Sequence, residues 1–224
     1  MFTSSFINLY EFKHHTPRLL IVGYGDIGKR ILKQKLKYPK SEKTRKLFYD
    51  NFRVTIVSRS GLSNLDENTT SVIKNKRILE LKLDLDIKKN IEKISKISPN
   101  IIVLIPTQNS LDGTTDHRMK KLCASLEKNR KEIKYKGVYI STTGVYGNTH
   151  GRLVDETHLC KPTQLRSKRR LFNEKIFKLG PKFHVLRVPG IYAINRLPIE
   201  RLKMRKPALL SDDDVYTNHI HAED

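Results

Sequence analysis

The sequence predicts an α/β protein built on a doubly wound parallel sheet, and three observations carry that prediction. The apolar run Leu19–Val22 leads into glycines at 23, 25 and 28, spaced G-x-G-x-x-G. Downstream, segments of strand periodicity alternate with segments of helical periodicity, the order that builds parallel sheets with helices on both faces. One strand candidate, Ile101–Ile105 (IIVLI), is apolar throughout, as a strand covered on both faces is.

The elements follow in order. Leu19–Gly28 (LLIVGYGDIG) reads as a buried strand, a glycine turn and the opening of a helix that continues through Ile27, Ile31, Leu32 and Leu36. Lys37–Asp50 is polar and basic and contains Pro39, so it reads as an exposed insertion. Phe52–Val57 alternates and is rich in β-branched residues, which makes it a second strand. Ile78–Leu85 alternates as a third. Ile87, Ile91, Ile94 and Ile97 keep helical spacing until Pro99-Asn100, and Ile101–Ile105 is the fourth strand. Asp116–Arg130 is helical, with Met119, Leu122, Cys123 and Leu126 on one side. Val138–Ser141 is the fifth strand. Gln164–Leu179 is helical, with Leu165, Leu171, Phe172, Ile176 and Leu179 inward and a strongly basic first half. Phe183–Arg187 is the sixth strand.

At 224 residues the chain can bury one good core. No apolar run approaches the roughly 18–20 residues that cross a bilayer. Met1–Arg18 has no signal-peptide core, because Glu11, Lys13, His14 and His15 interrupt it; residues 1–17 read as a lead-in to the first strand. Cys123 and Cys160 fit no metal spacing and give no disulfide framework, so a reducing, cytoplasmic setting is expected, with no metal and no membrane. The net charge of +21 comes from 44 Lys and Arg against 23 Asp and Glu. Such a balance suits a nucleic-acid partner. The basic residues are scattered through every segment without an interleaved aromatic platform, which argues against a specific one.

The glycine loop carries the chemistry. Gly tolerates positive φ and lets a ligand approach the backbone closely. The helix start behind it offers free N–H groups and a positive dipole end, which suit a pyrophosphate. A strand before the loop and a helix after it give the context of a dinucleotide site in a Rossmann-type fold. The loop residues Gly23, Tyr24, Gly25, Asp26, Ile27 and Gly28 are therefore candidate cofactor contacts. At the end of the second strand, NAD sites carry an acidic residue for the ribose 2′-hydroxyl. Here the positions are Ser58 and Arg59. A guanidinium suits a phosphate bidentately, which favours NADP(H) and leaves NAD(H) as the alternative. Arg59 as a plain solvated loop residue is the competing reading.

The strand-end signature Ser141–Gly147 (STTGVYG), taken with the glycine loop, resembles the extended short-chain dehydrogenase/reductases, in atypical form: the NAD(P)-dependent epimerase/dehydratase family. The resemblance covers nearly the whole chain. It implies that Asp84 and Leu85 lie beside the adenine, with Ile105 a further cofactor contact. It implies that Arg187–Tyr192 (RVPGIY) leaves the sixth strand near the nicotinamide, and that His219–Asp224 (HIHAED) matches an H-V-x-D segment that opens a helix.

The family's chemistry uses a hydroxyl residue, a Tyr and a Lys. Thr142 fills the hydroxyl position. The family's P-x-x-x-Y-x-x-x-K-L-x-x-E pattern lies on Pro162–Glu174 and places Arg166 at the Tyr position and Arg170 at the Lys position. Arginine stays protonated, so Arg166 is no proton shuttle near neutral pH. Three readings follow: Arg166 and Arg170 bind an anionic substrate or cofactor phosphate while Tyr146, His150 or Tyr192 moves the proton; the protein binds NADP(H) without turnover, as a sensor or scaffold; or Arg166, Lys168, Arg169 and Arg170 are the solvated face of a helix.

The expected organisation is a Rossmann domain over 1–192 and a small substrate region over 193–224 that stops short of the family's usual length. The function expected first is an NAD(P)-dependent oxidoreductase or epimerase/dehydratase-like protein acting on a small, anionic or sugar-nucleotide substrate, with a homodimer left open. The second is a non-catalytic NADP(H)-binding protein, and the third is nucleic-acid binding through a basic surface.

Overall fold

A computed structural model describes residues 18–37, 53–61, 78–205 and 216–224. The expected lead-in, and the expected basic insertion beyond Lys37, fall outside those residues. The chain divides into two compact units, residues 1–105 with 124–137, and residues 106–123 with 138–224.

In the first unit, β1 (Arg18–Val22) pairs in parallel with β2 (Arg53–Ser58) and with β4 (Asn100–Val103), and β2 pairs in parallel with β3 (Ile78–Lys82). Helix α1 (Asp26–Lys37) follows β1 and α2 (Lys88–Ile94) follows β3. Consecutive residues of β1 (Leu20, Ile21, Val22) and of β2 (Val54, Thr55, Ile56, Val57) are buried, as in a sheet covered on both faces. Ile21, Leu32, Val54, Ile56 and Ile78 form one apolar cluster, flanked by Leu19, Tyr24, Ile31 and Leu104. Each fully buried side chain of this size stabilises by about 1.5–3 kcal/mol.

Two boundaries differ from the periodicity. The strand expected to reach Leu85 stops at Lys82. Asp84 turns the chain there: its carboxylate accepts from the Asp86 amide at 2.9 Å and its carbonyl from the Ile87 amide at 3.4 Å. Helix α2 stops at Ile94, leaving Ile87 and Ile97 outside it. Ser95 donates its hydroxyl to the Glu92 carbonyl, the local competition by which serine ends helices.

The second unit holds most of α3 (His117–Lys128), β5 (Lys136–Thr142) beyond its first residues, α4 (Leu165–Phe177), β6 (Phe183–Val188), β7 (Gly190–Tyr192), α5 (Ile199–Lys203) and β8 (His219–His221). Phe177 stacks on Phe183 at 4.5 Å between centroids and meets Tyr139 at 5.9 Å. Two expectations are corrected here. Leu165 and Leu179 are exposed, and the buried residues of α4 are Ser167, Arg169, Asn173, Glu174 and Phe177. Its inner face is largely a hydrogen-bonding face, which hydrophobic periodicity does not register. The 219–224 segment, expected to open a helix, forms the short strand β8, parallel to β7, with Ile191 opposite Ile220.

The main sheet has six strands in the order β3-β2-β1-β4-β5-β6, and β7 and β8 form a separate pair. This is the predicted α/β class, a parallel sheet flanked by helices in the Rossmann manner.

Candidate functional site

The glycine loop follows β1 in the first unit. Gly23 has φ +106°, and a Cβ there would lie 3.1 Å from the Ile105 nitrogen. Its amide donates to the Val57 carbonyl at 2.9 Å. A Cβ on Gly28 would meet the Gly23 carbonyl oxygen at 2.7 Å, so this glycine lets α1 pack against the loop. Gly25 differs from both. It is exposed, its φ is not positive, and a Cβ would meet nothing within 4 Å. Neither backbone strain nor packing among the described residues demands glycine at 25.

The other loop residues are placed by α1. Asp26 opens the helix, where a carboxylate suits the positive dipole end, and pairs with Arg30 one turn on at 3.1 Å. Tyr24 and Ile27 are half-buried, and the Lys29 ammonium lies 6.0 Å from the Tyr24 ring centre. At the C-terminal end of β2, the Ser58 hydroxyl accepts from the Gly61 amide at 2.9 Å, and Arg59 is exposed. Asp84 is exposed at its turn, while Leu85 and Ile105 are buried. The structure thus brings the loop, Ser58, Arg59, Asp84, Leu85 and Ile105 to the carboxyl ends of β1 to β4. That edge is where open α/β sheets bind ligands.

Thr142 ends β5 in the second unit. Its hydroxyl accepts from the Gly144 amide at 3.2 Å and caps the short 3-10 turn Thr143–Val145. Arg166 is exposed on the first turn of α4. Arg170 is half-buried and engaged: it donates to the Tyr139 hydroxyl at 2.8 Å and to the Ile140 carbonyl at 2.9 Å. The reading of these basic residues as one solvated face fails at Arg169, which is 8% exposed and donates to the Gly113 carbonyl at 2.7 Å. Among the residues considered as proton carriers, Tyr146 is buried with the Arg187 guanidinium 4.8 Å from its ring centre. His150 is exposed, and so is Tyr192, whose ring meets His221 edge-on at 5.2 Å.

A buried network that hydrophobic periodicity does not mark lies behind these residues. Asn173 donates to Asp116 at 3.0 Å and to the Tyr139 hydroxyl at 3.1 Å. Asp116 also accepts from the amides of Gln108 and Met119, so it caps the start of α3. Leu165 packs on Gly113, so Leu165, Arg169 and Asn173, spaced i, i+4, i+8, hold the loop before α3. Glu174, 2% exposed, takes the Ser141 hydroxyl at 2.6 Å and the Arg187 fork at 2.8–3.3 Å. This carboxylate raises the Arg187 pKa above the ordinary arginine value. Burial raises Tyr139, although Arg170 opposes it. Burial also pushes the Cys123 thiol up to about 12, which leaves it unreactive at neutral pH. The available signal was the four-residue spacing of Arg169 and Asn173, which shares one helix face.

Among the described residues no cluster of His, Cys, Asp and Glu could hold a metal ion, and no helix is long and apolar enough to cross a membrane.

No protein-family model matches the sequence, and no curated protein sequence matches it. Solved structures do match it. A UDP-glucuronic acid 4-epimerase from Bacillus cereus, solved with UDP-glucuronic acid and NAD, superposes with TM-score 0.66 at 18% identity, over 92% of this chain and 69% of that one. A UDP-N-acetylglucosamine 4-epimerase from Methanobrevibacter ruminantium M1, in complex with UDP-N-acetylmuramic acid, gives TM-score 0.64 at 18% identity, over 93% and 70%. A functionally unknown conserved protein from Silicibacter pomeroyi DSS gives 0.58 at 22%, over 93% and 64%. The chain spans about two thirds of the length of these structures, and at such identities the likeness is one of fold.

Proposed function

We propose that the chain binds NADP(H) through the glycine loop and acts, in the manner of the NAD-dependent epimerase/dehydratase family, on a sugar-nucleotide substrate. The observation that carries this reading is Gly25. It is a glycine that the fold itself does not need, between two that it does. A bare backbone there fits the close approach of a pyrophosphate, with the α1 N-terminus behind it.

Gly23, Tyr24, Gly25, Asp26, Ile27 and Gly28 would hold the pyrophosphate, Asp84, Leu85 and Ile105 the adenine side, and Ser58 and Arg59 the ribose. When bound, the nicotinamide supplies hydride acceptance and donation. Arg59 supports the NADP(H) preference, since it is exposed at the end of β2, where Ser58 and Arg59 stand at the positions that carry an acidic residue in NAD sites. Thr142 would orient a substrate oxygen with the hydroxyl hydrogen that its cap bond to Gly144 leaves free. Arg166 would meet an anionic group on the substrate from its exposed position.

A second reading, cofactor binding without turnover, is favoured by Arg170. Its contacts with Tyr139 and Ile140 tie it to β5, so it does not stand free as the family's lysine would. The experiment is a panel of UDP-sugars incubated with NAD(P) and analysed for epimers and for reduced cofactor. Product from the wild-type protein supports the first reading. Product only from Arg166→Tyr with Arg170→Lys supports the second.

A further inference from the structure

We propose that the N-terminal edge of the sheet in the first unit is a docking surface for the phosphate backbone of nucleic acid, read without regard to sequence. Ligands of open α/β sheets bind at the opposite edge, at the carboxyl ends of the strands, so a cofactor there does not compete for this one.

The placement rests on a chain of hydrogen bonds. Arg18 and Arg53 begin β1 and β2 and stand directly opposite each other in the parallel register. Asn100 and Ser98, at the start of β4, both donate to the Arg18 carbonyl, at 2.8 and 2.9 Å. The Lys136 amide, at the start of β5, donates to the Pro99 carbonyl at 2.7 Å. The same edge receives the ends of α2 and α3. Ser95, following α2, meets the Ser125 hydroxyl at 2.8 Å and accepts from the Asn129 side chain at 3.0 Å; its carbonyl takes the Tyr135 hydroxyl at 2.6 Å. These four polar residues are all buried, so the two helix ends are fixed together.

That fixing gathers charge. Lys96 leaves the end of α2, Lys128 ends α3, and Arg130, Lys131 and Lys134 follow it, all exposed. They join Arg18, Arg53 and Lys136 at one edge. The carboxylates on these same elements are Glu127, which pairs with Arg130 at 3.3 Å, Glu132, and Glu92 further back on α2, which faces Lys88 at 3.9 Å. The sequence showed its lysines scattered, and the fold collects a set of them.

The occupant follows from what accompanies the charge. A lipid surface would call for apolar side chains beside the basic ones. Among the described residues of these elements, the large exposed apolar side chain is Ile87, at the far end of α2. Base stacking would call for an exposed aromatic ring, and Tyr135 is buried with its hydroxyl spent on Ser95. Phosphate contacts by Lys and Arg alone give affinity without sequence readout.

The test measures anisotropy of a short labelled duplex DNA of mixed sequence, at salt from about 50 to 200 mM. A K96A/K131A/K134A variant loses on the order of 10- to 100-fold in affinity, and its salt slope falls by about 0.9 for each lysine that touched a phosphate. A K175A/K178A/K182A control, with the same change in net charge, stays within about twofold. A K128Q/K136Q variant with an unchanged melting temperature shows a loss in the same direction. Equal losses in the two triple variants, or binding to phosphatidylserine vesicles but not to DNA, overturn the proposal. So does a wild-type protein that leaves DNA free at about 150 mM salt.

Discussion

Arg170 donates to the Tyr139 hydroxyl at 2.8 Å, and its guanidinium lies 5.5 Å from the centre of the Tyr139 ring. Arg170 thus clamps α4 to β5. Replacing Arg170 with Ala leaves the Ile140 carbonyl without that donor and should lower stability by about 1–3 kcal/mol. A double-mutant cycle with Tyr139→Phe measures the pair, and a coupling near zero would show that the contact is idle.

Glu174 sits between Ser141 and Arg187 at 2% exposure. Breaking a buried pair by removing one partner strands the other, at about 3–5 kcal/mol. Denaturant titration of Glu174→Gln should therefore show a larger loss than Arg130→Gln, whose partner Glu127 is exposed. Similar losses would mean that water reaches Glu174.

The two glycines of the loop separate folding from binding. Gly23→Ala forces a side chain into φ +106° and against Ile105, and should destabilise by about 1–3 kcal/mol. Gly25→Ala meets open space, so its melting temperature should stay near wild type while dinucleotide binding weakens. Unchanged binding in Gly25→Ala would remove the observation on which the functional reading stands.

Alkaline pH probes the buried tyrosines. Burial pushes the Tyr135 hydroxyl from 10 up to about 12 and raises Tyr139 as well. A folded-state pKa above the unfolded one means the folded protein holds the proton longer. Stability from these groups is full below about pH 10 and declines as pH rises toward 12. Urea midpoints across that window should fall, and Tyr135→Phe should flatten part of the slope.

The fold was legible because its signals are local. Leu19–Gly28 announces a strand, a turn and a helix start within ten residues, and the later alternation supplies the rest. The ends of β3 and α2 were less so, since Asp84 and Ser95 stop them through hydrogen bonds rather than through pattern. The basic run of α4 was legible as helix and illegible as site. Arg170 finds Tyr139 across 31 positions of chain and Arg169 finds Gly113 across 56. No spacing rule reveals such partners, and a buried arginine reads in sequence like a solvated one. The cluster at the N-terminal edge of the sheet was hidden for the same reason.

The most direct measurement is titration of the purified protein with NADPH and NADH, followed by cofactor fluorescence and repeated with Arg59→Ala. The expected result is tighter binding of NADPH than of NADH, with Arg59→Ala weakening NADPH more than NADH. Binding of neither dinucleotide would contradict a cofactor site at the glycine loop, and tighter binding of NADH would contradict the role given to Arg59.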